Sequence, residues 1–180
     1  EFTQIDCEMS FVERDDILSN FGDLIKYLFK KILGITINNI PVMEFSDAIN
    51  LYGNDKPDLR FDMQFVDLFN DVKGSGFNIF DAAEAIIGIN VPNCSEYSRK
   101  QIDELTDFVK KPQIGAKGLV YIKYNKDGTL KSSIDKFYSF DKLLDIVSRC
   151  NSNKGDLVLI LAGEKNNTQN ALSELRLLMG

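Results

Sequence analysis

Glu1 to Val12 is the stretch whose residue types and spacing could do chemistry. Phe2, Gln4, Asp6 and Glu8 fall on one set of alternate positions, and Ile5, Cys7, Met9 and Phe11 on the other. Successive side chains leave a strand on opposite faces, so this alternation predicts a strand with an apolar underside. Its upper face would carry a ring, an amide and two carboxylates. Such a face fits a surface that holds a ligand, or equally the solvated side of an antiparallel sheet. Asp6 and Glu8 could also be read as a metal pair or an acid–base dyad. Nothing nearby in the sequence completes a coordination shell, so no metal site is expected there.

Other stretches invite chemical readings of lower specificity. Gly115-Ala116-Lys117-Gly118 has the outline of a Gly-x-x-Gly loop that clamps a nucleic-acid backbone, and also that of a tight turn leading into a strand. Arg99, Lys100, Lys117 and Lys123 could form a modest basic patch, with Arg99, Lys100 and Lys117 the candidates for an RNA contact. Gly74-Ser75-Gly76 is not a dinucleotide fingerprint, because no third glycine follows in a strand–turn–helix setting. The sequence contains no histidine, which removes histidine-based triads and histidine metal sites from the choices within this chain. No catalytic residue is assigned.

The 180 residues are 44% hydrophobic and 27% charged, an ordinary composition for a globular protein. No run of eighteen apolar residues predicts a membrane span. No basic-plus-apolar leader is seen, which leaves the cytoplasm as the expected compartment. Cys7, Cys94 and Cys150 are sparse and odd in number, a pattern that fits reduced thiols better than a disulfide framework. The net charge is −6, with 7 Lys and Arg against 16 Asp and Glu in residues 1–92 and 14 against 11 in residues 93–180. A chain built mainly to grip phosphates would show a stronger basic balance, so nucleic-acid contact is expected to be local.

The elements that must position these residues can be read in order. Helical spacing from Asp15 and Asp16 to about Leu33 predicts a helix ended by Gly34, its apolar stripe packed in a core. Ile35–Ile37 and Val42–Met43 read as extended, Ser46 as the cap of a short helix to Leu51, and Gly53 to Asp58 as a charged loop. A helical turn is expected over Val66–Val72, and strands over Phe77–Phe80 and Ile86–Val91. Ser98 and Gln101 have capping-box spacing for a helix to about Lys110. Leu119–Tyr124 reads as a strand, Asn125-Lys126-Asp127-Gly128 as a hairpin turn, and Ser139 as a helix cap. Asp156–Ala162 is a buried-strand run, and a last helix is expected to begin at Asn167 or Thr168 and reach Met179. Strands and helices mingle without a βαβ period, which predicts an α+β fold.

The opening string Glu-Phe-Thr-Gln-Ile-Asp resembles the second half of motif 2 in class II aminoacyl-tRNA synthetases, in the form found in the bacterial-type aspartyl-tRNA synthetases. Tyr52-Gly53-Asn54-Asp55-Lys56-Pro57-Asp58-Leu59-Arg60 is similar to another stretch of that family. Ser98-Arg99-Lys100-Gln101-Ile102-Asp103 and Gly115-Ala116-Lys117-Gly118-Leu119 follow in the family's order. Asn93-Cys94-Ser95-Glu96 departs from the small, glycine-rich loop usual before the Ser-Arg-Lys segment. From about residue 62 the chain resembles the GAD domain, a module inserted between motifs 2 and 3 and shared with a subunit of tRNA-dependent amidotransferases.

The resemblance implies a division into a catalytic-domain segment, residues 1–61, and an inserted domain, residues 62–180. It also implies that a chain starting at Glu1 rather than Met is an excised piece of a larger protein. By the same resemblance Phe2 stacks on adenine, Gln4 lines the ATP site, Asp6 receives the amino group of bound L-aspartate, and Glu8 stands behind them. The implied parent is a homodimer that uses ATP and Mg to join L-aspartate to tRNA(Asp). The arginines that hold the ATP phosphates lie outside this chain, so the piece alone is expected to be inactive. Two alternatives stay open, a non-catalytic RNA- or protein-binding module and an amidotransferase subunit.

Overall fold

A computed structural model describes residues 2–180. They form two compact units, one ending at Met43 and the other spanning Glu44–Gly180.

In the first unit, residues 2–13 adopt no regular structure, and Phe11 sits at a φ of 58°. The expected strand is therefore corrected. A strand needs a neighbour for its N–H and C=O groups, and every described strand lies between Val66 and Gly163. Helix α1 (Arg14–Leu28) continues into a π-helical turn, Phe29–Leu33, which closes on Gly34 at a φ of 70°. The Glu13 N–H donates to the Asp16 carboxylate (2.9 Å) and starts the helix. No residue of α1 is buried, so the expected core packing of its stripe is also corrected. Leu18, Phe21 and Ile25 stay exposed because no described element covers them.

The second unit opens with α2 (Phe45–Tyr52). Its N-cap is Glu44 rather than Ser46, and Gly53 ends it. The expected turn over Val66–Val72 divides into β1 (Val66–Asp67) and the one-turn α3 (Phe69–Val72). Phe77–Phe80 is not a strand, since α4 (Asn78–Asp81) occupies it. Phe77 and Phe80 stand three apart, a helical neighbour spacing. The Asp81 carboxylate accepts from the Gly74 and Gly76 N–H groups and folds the glycine loop back.

Strand β2 (Ala85–Val91), helix α5 (Arg99–Val109), the hairpin β3 (Val120–Tyr124) and β4 (Leu130–Ser132), α6 (Phe140–Arg149) and β5 (Leu157–Gly163) follow the sequence reading closely. Ser98 accepts from the Gln101 N–H, whose side chain reaches back to the Ser98 N–H. Helix α7 (Lys165–Met179) starts earlier than expected, because the Glu164 carboxylate accepts from the Asn166 and Asn167 N–H groups.

The sheet is antiparallel with strand order β1-β2-β5-β3-β4. β5 is its centre, paired with β2 from Ala85↔Gly163 to Val91↔Leu157, and with β3 from Val120↔Ile160 to Lys123↔Leu157. Both faces are covered. Ile87, Ile89, Leu159 and Leu161 face α5 and α7, while Ile86, Val158 and Ile160 face α6 and the short helices. Two-sided burial explains why β2 and β5 read as continuous apolar runs rather than alternating ones. The compact unit starts at Glu44, upstream of residue 62, because α2 packs on α7 with Ala48 and Tyr52 buried, and the turn at Asp58–Met63 is fastened to α7 by Arg176.

Candidate functional site

The four N-terminal candidates are all exposed, with Phe2 retaining 82% of its surface. Without a strand they have no common face. No hydrogen bond or ion pair ties Phe2, Gln4, Asp6 or Glu8 to another described residue. These side chains could stack on a ring and pair with an ammonium, but this chain alone does not bring them together.

The three basic candidates lie in the second unit. Arg99 and Lys100 are on the first turn of α5 and are exposed, each facing an acid four residues on: Arg99–Asp103 at 3.8 Å and Lys100–Glu104 at 3.9 Å. Lys117 is at the other end of that helix. The Ala116 N–H donates to Val109 O at the helix's last turn, about 15 Å along the axis from Arg99 at 1.5 Å per residue. Arg99 and Lys100 therefore do not converge with Lys117. Lys123, the fourth cation of the expected patch, is half-buried and donates to the Tyr97 carbonyl. Burial pushes its pKa down, and the Lys131 cation adds to the effect.

Among the hollows around the sheet, two differ most in lining. One, of about 790 Å³, lies among α2, the end of α5 and α7, lined by Phe45, Ile49, Phe108, Lys111 and Glu174 among others. The other, of about 410 Å³, is apolar, with Phe80, Leu119, Ile134 and Ala162 in its wall and Lys117 among its lining residues. Neither holds a base beside a nucleophile, and this lining suits binding rather than bond-making. Among the described residues no cluster of three or more His, Cys, Asp and Glu has the geometry of a metal site. Burial lifts the Cys150 thiol to about 12, so it carries no thiolate at neutral pH.

Two charged residues that sequence reasoning passed over turn out to organise this unit. Arg176 is buried on the core side of α7. It stands one residue from Leu175 and four from Leu172, and its place on an apolar helical face was the available signal. Asp156, 5% exposed, accepts from Asn90 Nδ2 (3.0 Å), the Asn93 N–H (2.9 Å) and the Asn153 N–H (2.8 Å) just before β5. Burial alone would raise its pKa, but the three donors outweigh burial and hold it below the usual carboxylate value.

Asp156→Ala is accordingly expected to lower the unfolding free energy by about 3 kcal/mol, because three donors lose a charged acceptor. A depressed folded pKa means that this stabilisation is present above the unfolded carboxylate value, about 3.9, and is lost as pH falls through the folded value. Urea titrations between pH 7 and pH 3 should show Asp156→Asn with a smaller loss and a flatter acid limb. Equal acid limbs in wild type and Asp156→Asn would reject the assignment.

A family model described as the GAD domain matches residues 78–172. The aspartate–tRNA ligase of Azobacteroides pseudotrichonymphae is 56% identical over 180 residues, covering 100% of this chain and 31% of the relative. That of Bacteroides fragilis is 52% identical over 182 residues, again covering 100% and 31%. That of Flavobacterium psychrophilum is 48% identical over 177 residues, covering 98% and 30%. The chain thus spans about a third of the length of the curated relatives it matches.

Proposed function

With more than half of its residues matched by that model, the chain belongs to the GAD-domain family, and from this we propose that it is a piece of an aspartate–tRNA ligase. The supporting observation is that similarity to these ligases runs through residues 1–77 as well as through the GAD module. A shared module alone, as in an amidotransferase subunit or an adaptor, would account for residues 78–172 and leave the rest unexplained.

On this reading residues 1–61 belong to the class II catalytic domain and residues 62–180 to the inserted domain, a division of origin rather than of packing. The irregular backbone of residues 2–12, outside any described ladder, and the uncovered stripe of α1 are surfaces suited to a sheet supplied by the remainder of the parent. There Phe2 stacks on adenine, Gln4 lines the nucleotide pocket, Asp6 pairs with the ammonium of L-aspartate, and Glu8 supports Asp6. The parent is a homodimer using ATP and Mg, and Arg99, Lys100 and Lys117 are local contacts to tRNA(Asp).

The residues that would hold ATP do not converge among the described residues, so no step of the reaction is assigned to this chain by itself. Activation of an amino acid needs mainly positioning and compensating charge, and neither is assembled here.

The test is a pair of measurements. The isolated chain is expected to give ATP–pyrophosphate exchange at background. A Bacteroides fragilis ligase whose matching segment is replaced by residues 1–180 is expected to exchange and to charge tRNA. In that chimera, Arg99→Ala with Lys100→Ala should flatten the plot of log affinity for tRNA against log salt by about 1 to 2. A well-folded but inactive chimera would refute the ligase reading, and exchange by the isolated chain would refute the expectation that this piece alone is inactive. An unchanged salt slope would remove only the tRNA contacts.

A further inference from the structure

Arg176 is only 1% exposed and forms no ion pair among the described residues. Instead its guanidinium reads backbone. Nε donates to Met63 O (3.0 Å), and Nη2 donates to Asp58 O (2.8 Å), Phe61 O (3.0 Å) and Asp62 O (2.9 Å). Its central carbon lies 4.7 Å from the ring centroid of Tyr52 and 4.4 Å from that of Phe61. A lysine could not replace this arrangement. It offers three donors from a single point and has no plane to lie against aromatic faces.

Met63 and Phe65 of this segment reach into the core, and the Phe65 N–H donates to Leu51 O, but among the described residues Arg176 alone donates to the Asp58, Phe61 and Asp62 carbonyls. Residues 57–65 belong to no helix or strand, and Met63 sits at a φ of 72°. A side chain with a Cβ adopts that backbone only where its surroundings hold it there. The Asp58 carboxylate in turn grips the exposed Arg60 through Nε (2.9 Å) and Nη2. The same turn touches the end of α7, since a Cβ placed on Gly180 would fall within 2.4 Å of the Phe61 ring. The chain passages at 58–63 and 176–180 are therefore side by side, and Arg176 joins them.

We propose that Arg176 is a latch: one side chain on α7 keeps residues 58–63 shut against the sheet unit, and its release lets that segment open without unfolding the sheet. The sheet's ladder does not run through these carbonyls, so opening breaks the latch and leaves the β2–β5–β3 pairing in place. The latch stands on contacts within residues 44–180 and does not depend on the ligase reading.

The bond after Arg60 is a tryptic site, and so is the bond after Lys126 in the β3–β4 turn. Cleavage at both should be followed by mass spectrometry in wild type, Arg176→Met and Arg176→Lys. Arg176→Met is expected to speed cleavage after Arg60 by about tenfold or more, with cleavage after Lys126 within about twofold of wild type and Arg176→Lys in between. In low urea the Arg60 rate of the wild type should rise with denaturant less steeply than global unfolding does, as local opening exposes Phe61 and Met63 but leaves the sheet buried. An unchanged Arg60 rate overturns the latch. Equal acceleration at both bonds, in Arg176→Lys as well if Arg176→Met does not fold, also overturns it, because Arg176 would then be one more member of a single cooperative core.

Discussion

Asp6→Asn in the ligase chimera is expected to lower kcat/KM for aspartate activation by about 30-fold to several thousand-fold. Asparagine keeps the shape of the side chain and removes its charge, so on the proposed reading the substrate ammonium would lose its ionic acceptor. Breaking one partner of a buried, hydrogen-bonded charge pair costs about 2–5 kcal/mol, and each 1.36 kcal/mol is a factor of ten. Glu8→Gln, one step further from the proposed pocket, should change the same constant by less than about threefold, because a more distant, solvated charge is screened. The pyrophosphate-exchange assay reads both. If the two variants behave alike, Asp6 does not hold the amino group. The experiment requires the parent sheet, since Asp6 is exposed and outside any strand here.

Gly53→Ala is expected to produce the largest stability loss of any single change considered, about 3–4 kcal/mol in a urea titration of the chain. Gly53 ends α2 at a φ of 69°, with its N–H donating to Ile49 O at 2.9 Å. A left-handed alanine costs about 1–2 kcal/mol by itself. Its Cβ would also stand 2.5 Å from the backbone O of Gln169 and 2.7 Å from the Phe65 ring. The oxygen belongs to α7 and cannot rotate away, so α2 must move off α7, and overpacking of that kind adds about 1–3 kcal/mol. Gly115→Ala is the control: its φ is 82°, but nothing lies within 4 Å of its Cβ position. It should lose only the conformational part, about 1–2 kcal/mol. Equal losses at the two glycines would mean that close approach to α7 contributes nothing.

What the sequence made legible was the chemistry that acts over a few residues. The Ser98 box, the Ser139 cap, the Asn125–Gly128 turn and the apolar runs of β2 and β5 each carry their signal within a short window, and each stands as read. What it hid depends on partners far along the chain. The alternation of Phe2 to Phe11 is genuine, but a strand is a relation between two segments, and no described segment pairs with it. Phe77–Phe80 offered four apolar-rich residues that suit a strand or a single helical turn, and Asp81's grip on the glycine loop decided between them. Of the candidate site, the side-chain types were legible through resemblance, whereas their convergence was not. Arg99, Lys100 and Lys117 lie close in sequence yet stand at opposite ends of α5.

Placing β5 at the middle of the sheet sets a schedule for synthesis. As the chain leaves the ribosome, β1 with β2, and β3 with β4, emerge as separate halves, and the strand that must join them follows both, after α6. Until then each half presents an apolar rim with open backbone groups, the kind of edge that invites a stranger strand. Closure has to wait for residues 157–163 to insert between pieces made long before, a long-range step that is intrinsically slow. A ribosome that stalls before Leu157 would leave a nascent chain whose two halves have nothing of their own to bind.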